Sequence, residues 1–210
     1  MNDLVDRLRE LVGDAHVITG TDLAPFLHDA RDAVTGDALA LVRPADTAQV
    51  AAVVHTLGGT GVAVVPQGGR TGMSGGGVPF DDRPSIIVST SRLAEVRAID
   101  SVSHTITVDA GVTVEAVQEA ARGRRLDFAP DWGARGTATV GGAVATDAGG
   151  INVLRHGTMR NHVLGLEVVL ADGRVWDGLR GLRKDSSGLA PAHLFSGTEG
   201  TLGIVTAAEL

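Results

Sequence analysis

The 210-residue sequence contains no cysteine, has only 3% aromatic residues and has a single lysine, Lys184. Without cysteine the chain can form no disulfide, no thiolate zinc site and no cysteine nucleophile. Few aromatic stacking platforms and a net charge of −7 argue against a nucleic-acid partner. No apolar run reaches the roughly 20 residues that a membrane-spanning helix needs. We therefore expect a cytoplasmic protein, at most peripheral to the membrane.

The first part of the sequence predicts a helix followed by a small β/α unit. Leu4, Leu8 and Leu11 recur at helical spacing among charged residues, which predicts a helical segment within residues 1–35 rather than a signal peptide. Apolar runs at 38–44, 62–65 and 85–89 predict strands, and Asp46 or Thr47 is placed to cap an intervening helix. This order is typical of a small, parallel β/α lobe, here over about residues 36–95.

The pattern changes after residue 95. Runs at 96–100 and 104–111 predict adjacent strands, and Thr113 is placed to cap a helix. Asp172-Gly173 predicts the turn of a hairpin, and residues 202–210 predict a final strand. We expect a larger, mostly antiparallel α+β lobe over about residues 96–210. The predicted domain of residues 36–210 is thus a two-lobed α+β fold.

Residues 64–79, VVPQGGRTGMSGGGVP, form a loop unusually rich in glycine. The loop has neither the lysine of a Walker loop nor the direct run into a helix of a Rossmann fingerprint. Its amide groups, with the side chains of Arg70, Thr71 and Ser74, form instead a candidate nest for an anion. A flexible surface loop is the alternative interpretation.

Two later segments share this small-residue composition. Residues 134–150, ARGTATVGGAVATDAGG, suit a flat, extended ligand that approaches the backbone closely, and a tightly packed turn in the core is an equal alternative. Residues 195–206, FSGTEGTLGIVT, place glycines directly before a β-branched strand. Two glycine-rich segments beside a candidate anion loop favour a common binding site.

Four ordered segments, PQGGRTGMSGG, ATVGGAVATDAGG, WDGLRGLRKDSSG and GTEGTLGIVT, resemble FAD-linked oxidases of the vanillyl-alcohol oxidase superfamily, with their PCMH-type FAD-binding domain. Within that superfamily they look like the segments of flavin dehydrogenases acting on D-lactate, glycolate or D-2-hydroxyglutarate. The resemblance implies FAD extended between two lobes. It also implies oxidation of a small D-2-hydroxy acid to the 2-oxo acid, with hydride transfer to flavin N5.

The resemblance assigns cofactor contacts by position. The FAD pyrophosphate would lie against the first segment, at Pro66, Gly68, Gly69, Arg70, Thr71, Gly72 and Ser74. The flavin and ribityl portions would lie along the middle segments, at Pro130, Thr137, Thr139, Gly142, Ala145, Thr146 and Gly149. The adenosine would lie near the last segment, at Glu199, Gly203 and Ile204.

Some positions depart from the family pattern. Asp147 and Ala143 stand where relatives often have asparagine, so Asp147 would place a negative charge near an anionic cofactor. His156 stands where tyrosine is common. Relatives that bind FAD covalently have histidine where this chain has Arg70, and cysteine is absent. We therefore expect FAD to be bound non-covalently.

The resemblance also covers only part of a full-length relative, since relatives continue into a substrate domain that covers the flavin. We therefore expect that C-terminal domain to be absent from this chain, and we assign neither a catalytic residue nor a metal site. A separate cap-domain polypeptide and an electron acceptor are the further partners that the resemblance implies. The basic segment 179–188 is either a solvated loop or a contact to such a domain.

Three alternative functions stay open at this point. The chain could be an FAD-binding subunit or module without activity of its own. It could also belong to another enzyme on the same fold, such as an alcohol or sugar oxidase or a cell-wall precursor reductase. A plain phosphate-binding protein is the last alternative, and bound flavin would exclude it.

Overall fold

The computed structural model describes residues 2–80 and 82–210, so Met1 and Asp81 lie outside the described residues. Its helices are α1 (Asn2–Val12), α2 (Thr47–Leu57), α3 (Val114–Arg122), α4 (Val140–Ala145), α5 (Val153–His156) and α6 (Ala192–Phe195). Short 3₁₀ helices cover Asp14–His16, Gly20–Phe26 and Met159–His162. The strands are β1 (Val17–Ile18), β2 (Ala40–Val42), β3 (Ala63–Gln67), β4 (Ser85–Ser89), β5 (Val96–Asp100), β6 (Thr105–Asp109), β7 (Gly165–Val169), β8 (Val175–Asp177) and β9 (Ile204–Glu209). In this part of the chain no helix has the length and apolar character needed to cross a bilayer.

The first lobe is built on a four-stranded sheet in the order β1-β2-β4-β3. Strands β2, β3 and β4 are parallel, and β1 adds an antiparallel edge that the sequence did not predict. One face of the sheet packs Ile86 and Val88 against α1 and α2, and the other packs Leu41 and Ile87 against Leu23. Burial of both faces explains why β2 and β4 are continuous apolar runs rather than alternating ones.

Helix α2 has a start and an end that its sequence specifies. Of the two predicted caps, Asp46 is the one used, because its carboxylate accepts the Gln49 N–H at 2.7 Å. The helix ends at Gly58, whose N–H bonds back to the last turn. Its buried face consists of Val50, Val53, Val54 and Leu57.

The second lobe is a five-stranded antiparallel sheet in the order β5-β6-β9-β7-β8. Helices α3 and α4 cover it, and Val117 and Val144 pack with Leu166 and Val168 in one core. The predicted hairpin is β7–β8, with Gly173 at φ +84° in its turn. The α+β class and the division into a parallel and an antiparallel lobe are therefore confirmed.

The lobes share apolar and polar contacts. Val169 and Ile204 of the second lobe belong to the core cluster of the first. Beside them, Glu167 on β7 accepts hydrogen bonds from Thr47 of α2 at 2.6 Å, Thr206 at 2.8 Å and Arg97 at 3.0 Å. Burial alone would raise the pKa of Glu167, but these donors outweigh burial and lower it. A paired carboxylate thus ties the start of α2 to the antiparallel sheet.

We expect Glu167→Gln to lower the free energy of unfolding by about 1–3 kcal/mol at neutral pH, because it removes a charge that accepts three hydrogen bonds. The folded pKa is below the unfolded one, so this stabilisation is complete above about pH 4.3 and is lost as the pH falls through the folded pKa. Urea unfolding at several pH values measures both effects. The acid loss of stability should be smaller in Glu167→Gln than in the wild type.

Glu115→Gln is the matched control, because its carboxylate forms a half-exposed pair with Arg135 at 3.6 Å. Such exposed pairs contribute about 0–1 kcal/mol. Equal unfolding curves for Glu167→Gln and Glu115→Gln at every pH would show that the junction does not depend on Glu167.

Candidate functional site

A cavity of about 530 Å³ lies between the two lobes. Three segments supply most of its wall, namely 66–77 from the first lobe and 138–150 and 199–205 from the second. They are the three glycine-rich segments that the sequence singles out. Pro66 and Thr90 bring the cavity to the carboxyl ends of the parallel strands β3 and β4, where ligands of parallel sheets commonly bind.

Nearly all the predicted contact residues line this cavity, and the exceptions are Pro130 and Thr137. Pro130 is buried, and its carbonyl accepts a hydrogen bond from Gln118 Nε2 at 2.8 Å. Thr137 presents its carbonyl to Gly69. The contact of these two residues with the cofactor therefore stays a prediction, and neither is among the residues that line the cavity.

The structure adds lining residues that the sequence did not identify. Thr90 and Trp132 line the cavity, although neither lies in a glycine-rich segment. Thr90 directly follows β4. Its position at the carboxyl end of a predicted parallel strand is the one sequence feature that indicates a place in the cavity wall. Nothing in the local sequence around Trp132 indicated its place.

The glycines of the first segment allow two backbone segments to touch. A Cβ at Gly69 would overlap the Thr137 carbonyl oxygen, and a Cβ at Gly68 would overlap Thr139 Oγ1. Gly72 differs, because a Cβ there would meet no atom within 4 Å. Gly68 and Gly69 are thus required by packing between the lobes, whereas Gly72 opens onto free space.

The loop after β3 presents backbone donors without acceptors. Within the described residues, 2–80 and 82–210, no amide N–H of residues 68–74 donates a hydrogen bond to a protein atom. All of these residues line the cavity. By contrast, Val140 and Gly141 at the start of α4 donate to the Val112 and Ala110 carbonyls at 2.8 Å. The free donors for an anion therefore come from the loop, as in other backbone nests.

The Arg70 side chain is held by the first lobe. Its guanidinium donates to the Pro25 carbonyl and lies 4.8 Å from the centre of the Phe26 ring. Its backbone is left-handed, with φ +55°. The expected side-chain donor thus has a protein partner, and the contribution of residue 70 to the nest is its amide.

Residues 26 and 30, which precede the first predicted lobe, take part in hydrogen bonds around the same loop. The buried Gln67 donates from Nε2 to the Phe26 carbonyl at 3.0 Å and the Gly77 carbonyl at 2.8 Å. The Ala30 N–H donates to the Gly72 carbonyl at 3.2 Å. The bonds to Gly72 and Gly77 use loop carbonyls, and none of the three bonds uses a loop amide.

Glu199 is the acidic residue of the cavity wall. Its N–H donates to the Ala145 carbonyl at 2.9 Å, and its carboxylate lies against Gly76, where any Cβ would overlap it. Arg70 is the other charged residue among those lining the cavity. The wall is otherwise formed by small, neutral residues.

Asp147 is not among the lining residues, although its neighbours Thr146 and Ala148 are. Its carboxylate accepts the Arg160 N–H at 2.9 Å and lies 3.3 Å from Arg160 Nε. The expected negative charge near the cofactor is therefore paired with an arginine and not exposed in the cavity.

A smaller cavity of about 330 Å³ adjoins the first one and shares Pro66, Gly200, Gly203 and Ile204 with it. The rest of its wall comes from the end of α2, from the loop before β3 and from β7, and it is mainly apolar. The two cavities form one elongated cleft. Its ends differ in polarity, with free amides in the larger cavity and aliphatic side chains in the smaller one.

The histidines singled out in the sequence do not line either cavity. Burial lowers the pKa of His162, which packs edge-on against Phe128 with ring centres 5.6 Å apart. His156 is exposed at the end of α5. No group of three His, Asp or Glu side chains in the described residues could hold a metal ion.

Comparison with known proteins gives a family and relatives. A family model described as "FAD binding domain" matches residues 38–178. The mitochondrial D-2-hydroxyglutarate dehydrogenase of Bos taurus is 43% identical over 202 residues, which are 96% of this chain and 37% of that protein. The D-lactate dehydrogenase of Archaeoglobus fulgidus is 41% identical over 170 residues, which are 81% of this chain and 38% of that protein. The chain thus spans well under half the length of these relatives.

The solved structures agree on the fold. A structure of alkyldihydroxyacetonephosphate synthase superposes with a TM-score of 0.87 and 20% identity, covering 100% of this chain and 40% of that one. At this identity the likeness shows the shared fold. The expected resemblance to FAD-linked oxidases is confirmed by the family model, which matches more than half of the chain. The chain belongs to the FAD binding domain family.

Proposed function

We propose that this chain is the FAD-binding part of a dehydrogenase that oxidises a D-2-hydroxy acid to the 2-oxo acid. The observation that carries the proposal is the run of unpaired amide donors at residues 68–74, set in an elongated cleft between the lobes. The relatives named for D-2-hydroxyglutarate and D-lactate support the substrate class.

The cleft fits the parts of FAD. The FAD pyrophosphate is an anion, and several converging backbone amides can bind an anion without a lysine or arginine side chain. The free amides of residues 68–74 suit this role. Gly72 leaves room for the closest approach, because no atom lies within 4 Å of its missing Cβ. The adjoining apolar cavity, where Ile204 lies, suits an adenine ring. Volumes of about 530 and 330 Å³ are in the usual range of cofactor sites.

When bound, the flavin supplies the acceptor for a hydride equivalent from the hydroxyl-bearing carbon. The residues of this chain bind and orient the cofactor and keep its phosphates on backbone donors. Among the residues that the structure describes, Glu199 is the one carboxylate on the wall of the larger cavity, and it lies against the anion loop. We therefore assign no catalytic base to this chain, and the base and the substrate contacts would come from another domain or polypeptide.

FAD binding is tested by adding FAD to the purified chain, desalting it and recording the visible spectrum. We expect retained flavin absorbance that is fully released on denaturation, because this chain has Arg70 at the position of the histidine expected for covalent attachment and contains no cysteine. A chain that carries no flavin absorbance after incubation with excess FAD and desalting would contradict the proposal. The cytoplasmic location expected from the sequence stays a prediction.

Gly72→Val should weaken FAD binding about tenfold or more, since its side chain enters the open space where the nest faces the ligand. Gly133→Val is the matched control, because Gly133 also has no atom within 4 Å of its missing Cβ and does not line the cavity. Both variants should unfold like the wild type. Fluorescence titration with FAD compares the three proteins, and equal affinities would remove residue 72 from the cofactor site.

The substrate class is tested by anaerobic reduction of the FAD-loaded chain in the presence of the domain or polypeptide that supplies the substrate contacts. D-lactate, glycolate and D-2-hydroxyglutarate are compared with the L-enantiomers and with sugar substrates, following loss of the oxidised flavin spectrum. Faster reduction by the D-2-hydroxy acids supports the proposal. Reduction by sugars instead would indicate another oxidase. Stable FAD without reduction by any of them would contradict the proposed substrate class.

A further inference from the structure

The cavity wall has a corner where α4 ends. Asp147 follows α4 with a left-handed backbone, φ +49°, and its N–H bonds to the Val144 carbonyl at 3.1 Å. Its carboxylate uses one oxygen for the Arg160 N–H at 2.9 Å and places the other 3.3 Å from Arg160 Nε. With 23% of its side chain exposed, this carboxylate is partly shielded from solvent.

Arg160 continues the connection to the last glycine-rich segment. Its Nη2 donates to the Ser196 carbonyl at 2.7 Å. The next residue, Gly197, has φ +83°, and a Cβ there would lie 2.9 Å from Arg160 Nη2 and 3.5 Å from Asp147 Cβ. The backbone of this segment is thus packed directly on the ion pair.

The segments joined in this way are two walls of the cofactor cleft. The Gly197 N–H donates to the Val144 carbonyl at 3.1 Å, and the Glu199 N–H donates to the Ala145 carbonyl at 2.9 Å. Ala145 and Glu199 line the larger cavity, whereas Asp147 and Arg160 do not. The Asp147–Arg160 ion pair therefore lies next to the place where the segment ending α4 and the segment containing Glu199 meet, outside the cavity lining.

We propose that Asp147 and Arg160 are positioning residues that fix the separation of these two walls and thereby the retention of FAD. The inference rests on the proposed FAD site and deepens it. Asp147 then has a role in this chain, because its carboxylate neutralises the guanidinium that reaches Ser196. Neither side chain needs to touch the cofactor.

A second aspartate–arginine pair, two residues apart on the β7–β8 turn, serves as the control. Asp172 accepts the Arg174 N–H at 3.0 Å and the Arg174 Nε at 2.6 Å, and neither residue is among those that line the two cavities. Asp147→Ala and Arg160→Gln are compared with Asp172→Ala and Arg174→Gln. Arg160→Gln keeps the backbone bond to Asp147 and serves if Asp147→Ala does not fold.

The first readout is the FAD dissociation rate of each folded variant. We expect Asp147→Ala and Arg160→Gln to release FAD about tenfold faster, and both control variants to stay near the wild-type rate. Equal rates in all the proteins, or equal acceleration by the control variants, would overturn the proposal. A residue that only stabilises the fold would lower the unfolding free energy of the apoprotein without this selective effect.

The second readout uses the protein without FAD. Hydrogen exchange of the Gly197 and Glu199 amides should be about tenfold faster in Asp147→Ala and Arg160→Gln, and unchanged in the control variants. Unchanged exchange in all variants would overturn the proposed connection between the walls. If the wild type binds no FAD, the proposed function fails, and this readout still decides whether the pair holds the walls together.

Discussion

The structure depends on direct contact between backbone segments of the two lobes. At Gly69 the loop after β3 meets the Thr137 carbonyl, and at Gly111 the second lobe meets the Thr90 carbonyl, in both cases without room for a Cβ. Such contacts need glycine because any side chain would separate the segments. Their consequence is a narrow junction in which the loop amides at residues 68–74 remain free beside a cleft.

A rigid frame surrounds this junction. The apolar core of the first lobe includes Val169 and Ile204 from the second, and Glu167 bonds Thr47 across the same boundary. On the cleft side, the Gly72 carbonyl accepts from Ala30 and the Gly77 carbonyl accepts from Gln67. The Arg70 guanidinium donates to the Pro25 carbonyl. Recognition of an anion is therefore left to the backbone, which is the reason that the site shows in the sequence as glycine and small residues rather than as lysine.

Local signals predicted much of the fold. The apolar run Ser85–Ser89, the Asp46 cap and the Asp172-Gly173 turn lie where the sequence indicates, because each is fixed by residues next to one another. Helix α4 was missed because its sequence, VGGAVA, has a low intrinsic helix preference. Its first amides are held by Val112 and Ala110, which are contacts that only the folded chain brings together.

The site shows the same division. The glycine segments identified the cavity, but Thr90 and Trp132 reach it through the fold, and Pro130 and Thr137 are not among its lining residues. From the sequence, Asp147 predicts a negative charge near an anionic cofactor, whereas in the structure its carboxylate is paired with Arg160. Composition thus predicted which segments meet, and tertiary contacts decided which residues line the cavity.

The most direct test of this account is the FAD affinity and unfolding free energy of Gly69→Ala. The added methyl group would overlap the Thr137 carbonyl, so the two segments must separate. The account predicts a lower unfolding free energy together with an FAD dissociation constant raised about tenfold or more. Wild-type stability and wild-type FAD affinity in Gly69→Ala would contradict the claim that the backbone junction forms the cofactor site.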